Sequence, residues 1–68
     1  MKDWRDNVIE FLRKNDDDFF SAEWLANHFN TTVDVMSDFL DELESVDIVY
    51  HQDININLEK QWLYKYID

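Results

Sequence analysis

Apolar residues recur along the first two thirds of the chain at helical spacing and along the last third at alternate positions. Trp4, Val8, Phe11 and Leu12, widened by Ile9, form one stripe from Asp3 to about Lys14, which predicts a first helix capped by Asp3. Asp6 near its start and Arg13 and Lys14 near its end carry the signs that the helix dipole favours. Asn15–Asp18 breaks the pattern, because short polar side chains compete with the backbone for hydrogen bonds. Phe19 and Phe20 predict a very short extended piece whose two rings cannot both point inward. Ser21 then caps a second helix, Ala22–Phe29, with Trp24, Leu25, His28 and Phe29 at helical spacing. After Asn30, either Thr31 or Thr32 caps a third helix from Val33 to Ser45 or Val46, with Met36, Phe39, Leu40 and Leu43 as its buried stripe.

From Ile48 the period becomes two. Ile48, Tyr50, Ile54, Ile56 and Leu58 fall on one side, and Val49, His51, Asp53, Asn55 and Asn57 on the other. Trp62–Ile67 reads as a second strand, joined to the first by a tight turn at Glu59–Gln61 or by a looser loop over Asp53–Gln61. The expected class is α+β: three helices and a C-terminal β-hairpin in one domain spanning residues 1–68.

The run Phe20-Ser21-Ala22-Glu23-Trp24-Leu25-Ala26-Asn27-His28-Phe29-Asn30-Thr31-Thr32, followed by Met36, Leu40, Leu43 and Ile48-Val49, resembles the core of the winged helix-turn-helix superfamily. Ala26 is small where two helices cross, and Asn30 stands where that superfamily often has glycine. The resemblance implies a third helix that enters the major groove of DNA and a hairpin wing that touches the backbone. It fails on charge. The positions that match base-reading and phosphate-contacting sites are Val33, Asp34, Ser37, Asp38 and Asp41, with no lysine or arginine among them.

The chain has a formal charge of −10, and residues 15–59, 45 positions with twelve carboxylates, contain no Lys or Arg. Such a surface repels a phosphate backbone, so nucleic acid is not expected on the usual face. In fold and charge the chain is similar to winged-helix modules that do not bind DNA, such as the N-terminal domain of the RNA polymerase delta subunit. That similarity implies a protein-interaction module, a transcription-related or phage-type regulator or inhibitor that meets a basic or apolar protein surface. Two surfaces are candidates: the acidic helix face of Asp34, Asp38, Asp41 and Glu42, which approximates a phosphate track and so a DNA mimic, and the aromatic hairpin of Trp62, Tyr64 and Tyr66. The same carboxylates also fit an ordinary solvated face. Two alternatives stay open. One is DNA binding by an unusual basic face of Arg13, Lys14, Lys60 and Lys65, with Lys2 and Arg5, or with a basic partner subunit; the other is a homodimer through the hairpin aromatics.

Enzyme chemistry is not expected. With no glycine there is no phosphate-cradling loop, with no cysteine no thiolate site, and Ser21, Ser37 and Ser45 lie in no nucleophile motif. Asp53-x-Asn55-x-Asn57 begins like a calcium loop, but Leu58 stands where the turn needs glycine and Tyr64 where it needs glutamate. His28 and His51 lack neighbours at ligand spacing, so neither metal nor cofactor is expected. No apolar run is long enough for a membrane span or a signal peptide, and the expected location is cytoplasmic. Glycine and proline are both absent, so turns must be made by Asn, Asp and Ser.

Overall fold

A computed structural model describes residues 3–67, apart from the side chain of Ile56; the expectations placed on Lys2 and on the Ile56 side chain fall outside them. Element order is α1 (Trp4–Lys14), β1 (Phe20–Ser21), α2 (Ala22–His28), α3 (Val33–Ser45), β2 (Val49–Ile56) and β3 (Glu59–Tyr66). This is the α+β winged-helix arrangement, three helices followed by an antiparallel hairpin wing. Buried residues from every helix meet the base of the hairpin in one core, with Leu12, Leu25, Met36 and Leu40 fully excluded from solvent.

The helix ends show how a chain without glycine makes its turns. Ser21 Oγ accepts from the Trp24 amide at 3.0 Å and Thr32 Oγ1 from the Val35 amide at 3.2 Å, the expected N-caps of α2 and α3. Asp3 differs. It makes no side-chain cap, because its carboxylate takes the Arg5 guanidinium at 2.7 Å instead. After α2, Asn30 adopts φ 56°, and the Thr31 amide reaches back to the Ala26 carbonyl at 2.9 Å. After α3, Asp47 adopts φ 61°, and the Ile48 amide reaches the Leu43 carbonyl at 2.9 Å. Both are Schellman closures, with a short polar side chain where glycine usually stands. The second delivers Ile48 against the core and aims the chain into β2.

The sheet runs β1-β3-β2, all neighbours antiparallel. Its hairpin turn is neither of the two expected. It lies at Asn57-Leu58, both with positive φ (52° and 68°), a two-residue turn whose twist matches the strands. Sequence reasoning passes over it because leucine is not a turn residue. The sides of β2 alternate as the period predicts, and the side of Val49 and His51 is the inner one. Val49 is fully buried and lies opposite Tyr66, so Val49 and His51, with Tyr66, Tyr64 and Trp62, face the helices, while Tyr50 turns away and packs its ring on Phe19 at 5.9 Å. Both faces are apolar at the hairpin base, one under the helices and one under the segment before β1. Phe19 and Phe20 do point to opposite sides, Phe20 onto Phe11 at 5.1 Å.

Candidate interaction surface

Helix α3 sets its polar face by periodicity. Met36, Leu40 and Leu43 turn into the core, so Asp34, Asp38 and Asp41, at spacings of four and three, stand together on the exposed side. Glu42 is also exposed but lies on the α1 flank, where it shares a shallow cleft of about 190 Å³ with Trp4, Arg5, Val35, Asp38 and Phe39.

On its other flank α3 is fastened to the wing. Glu44 Oε2 lies 2.5 Å from His51 Nδ1, and the His51 ring stacks on Trp62 with centroids 4.3 Å apart and planes 10° from parallel. The Tyr64 hydroxyl approaches Asp41 Oδ1 at 3.5 Å. Burial pushes the Tyr64 phenol up to about 12, and the charges of Asp41 and Glu44 and the hydrogen bond to Asp41 add to the rise. Between the start of α2, α3 and the wing opens a cleft of about 290 Å³ lined by Ser21, Ala22, Glu23, Ser37, Gln61, Trp62 and Tyr64.

The structure divides the aromatic hairpin. Tyr64 is only 2% exposed and belongs to the core, and Tyr66 packs partly buried against it; Trp62, half exposed, is the member of the trio that a partner can reach. Three of the basic residues lie against neighbouring side chains. Arg5 is tied to Asp3 and lies over the Trp4 ring, Lys14 pairs with Glu10 at 3.4 Å, and Lys65 sits over Phe19 on the sheet face turned from the helices. Arg13 ends α1, and Lys60 stands beside the hairpin turn.

Two features escape sequence reasoning. One is the link between Glu44 and His51, which the winding of the chain brings together. The other is an aromatic cluster in which Phe11 touches Phe20, Trp24, His28 and Phe29, with Trp24 stacked on His28 at 4.9 Å. Its signal was available in the four-residue spacing of Trp24 and His28 on one short helix. Among the described residues no group of His, Asp or Glu is arranged to hold a metal ion, and no helix is long and apolar enough to cross a membrane.

No family model matches the sequence, and no curated protein matches it. Among solved structures the fold is similar to a possible transcriptional regulator from Methanosarcina mazei Go1, with TM-score 0.87 and 14% identity over the whole of this chain. The chain spans 57% of that protein's length. At this identity the likeness shows the fold, a winged helix shared with a possible regulator.

Proposed function

We propose that this protein is a protein-binding module of transcription control, an acidic winged helix whose α3 and wing meet a basic surface on a partner protein. The observation that carries this reading is the sign of α3. The helix that reads DNA in such folds presents Asp34, Asp38 and Asp41 outward, with Glu42 on its flank and no cation along its length. Carboxylates spaced along one helix face approximate a row of phosphates, so the natural complement is a basic surface of the kind that binds DNA. Trp62, at the cleft beside α3, adds an aromatic anchor of the type enriched at binding hot spots. The fold shared with a possible transcriptional regulator supports the transcription-related setting. The reading is of a binding module and not an enzyme, since the clefts are open and shallow. DNA contact through Arg13, Lys14, Lys60 and Lys65 has less support, because Lys14 is paired with Glu10 and Lys65 lies over the Phe19 ring.

The test is capture of partners from cell extract by the parent and by a variant with Asp34→Asn, Asp38→Asn, Asp41→Asn and Glu42→Gln. The reading expects a partner held by the parent, released by moderate salt and lost by the variant. A partner held equally by both proteins contradicts the acidic-face assignment.

A further inference from the structure

We infer that the outer edge of β2 is a self-pairing surface, on which a second copy of this chain adds its own β2 antiparallel and two-fold. The sheet order β1-β3-β2 leaves this strand at an edge. The phase of its hydrogen bonds is fixed at both ends. Ile67 donates to the Ile48 carbonyl at 2.8 Å, and the two-residue turn makes Ile56 and Glu59 a bonded pair. With the register unbroken between them, the even residues of β2 turn their backbone groups to β3, and Val49, His51, Asp53 and Asn55 aim theirs outward. That is a full row of donors and acceptors with no strand beside it among the described residues.

Natural edges are usually blunted by lysine, proline, a bulge or an inward charge. This one has none of the first three. Its eight residues pair one-to-one with β3, and Asp53 is its single carboxylate.

Pairing of β2 with its own copy has one register that suits the side chains. Centred on Gln52, it sets Gln52 against Gln52, Tyr50 against Ile54, and His51 against Asp53 of the second copy, an apolar pair on the outer face and a complementary polar pair on the other. Centred one residue further along, it sets Asp53 against Asp53, like charges directly opposed. The bonding phase admits the Gln52 register, in which His51 and Asp53 form the bonded pair and Gln52 meets itself in a non-bonded pair. The result is one continuous sheet through both copies. It lies on the hairpin edge and not on α3, so this inference and the proposed function stand or fall separately.

Because each copy carries −10, association strengthens as salt is raised, opposite in sign to the capture of a basic partner. Sedimentation of the full chain against concentration, at low and high salt, is expected to show a monomer–dimer equilibrium that shifts to dimer in high salt. Gln52→Lys, a change at an exposed position that opposes two ammonium groups across the axis, weakens it by about tenfold. The chain has no cysteine, so register is readable directly by cross-linking. Treated with a mild thiol oxidant, the Gln52→Cys protein forms a covalent dimer, since facing non-bonded pairs hold Cα atoms about 4.5 Å apart, within disulfide reach. Tyr50→Cys does not, because its equivalents lie roughly 13 Å apart along the strands. A monomer at every concentration and salt overturns the inference. So does a dimer indifferent to Gln52→Lys, or cross-linking of Gln52→Cys no faster than that of Tyr50→Cys.

Discussion

The base and the tip of the hairpin are the same two strands under opposite conditions. At the base, Val49 and Tyr64 are buried, Tyr66 packs on the core, and His51 is held between Glu44 and Trp62. Toward the tip, Asn57 to Gln61 are exposed, Leu58 completely so, and the backbone turns through two left-handed residues. The base is part of the hydrophobic core; the tip keeps its shape by backbone pairing alone. Burial is therefore concentrated at one end of this element, and substitutions near the tip leave intact what holds the fold together.

The sharpest way to break this division is to cut the core. Val49→Ala, at a fully buried position of the hairpin base, is expected to cost about 2 kcal/mol, a large share of what a domain this small has. Lys60→Ala, exposed at the tip, stays within about 0.5 kcal/mol. Urea midpoints at unchanged slope decide the matter, and equal losses would merge the two regions.

The base also sets an alkaline limit. The Tyr64 phenol sits at about 12 in the fold and near 10 in the unfolded chain, so folding favours its neutral form. That contribution is complete below pH 10 and is lost as pH rises from about 10 through 12. Tyr64→Phe removes this part of the decline, as thermal melts across that range will show.

The helix caps come next in size. Ser21→Ala and Thr32→Ala each remove a side-chain acceptor and cost about 1 kcal/mol, whereas Asp3→Ala, which removes no cap bond, stays within about 0.5 kcal/mol. At the tip the expected sign reverses. Leu58 holds φ 68° with nothing packed on its side chain, so Leu58→Gly stabilises by up to about 1 kcal/mol. A loss of stability there would mean that the leucine is packed in solution.

Local features were legible in the sequence. The helix stripes, the Ser21 and Thr32 caps and the left-handed Asn30 each depend on residues within a turn of one another, and the acidic side of α3 follows from period alone. What was not legible depends on distance. Val49 and Tyr50 are both apolar, and only the exit from α3 through Asp47 decides which of them enters the core. Tyr64 carries the composition of a contact residue, yet β3 lies between β1 and β2, so its ring is covered. The turn at Asn57-Leu58 hid because a leucine occupies a position that favours glycine.

Helix α3 carries the wrong sign for a phosphate backbone, and the wing, with Asp53 and Glu59 against Lys60 and Lys65, adds no net positive charge to offset it. Titration of labelled duplex DNA with the full chain at low salt tests it most directly. No saturable binding is expected into the micromolar range, and none is gained by Arg13→Glu with Lys14→Glu. Nanomolar binding that falls steeply as salt rises would contradict it, because only cations on the contact face produce that dependence.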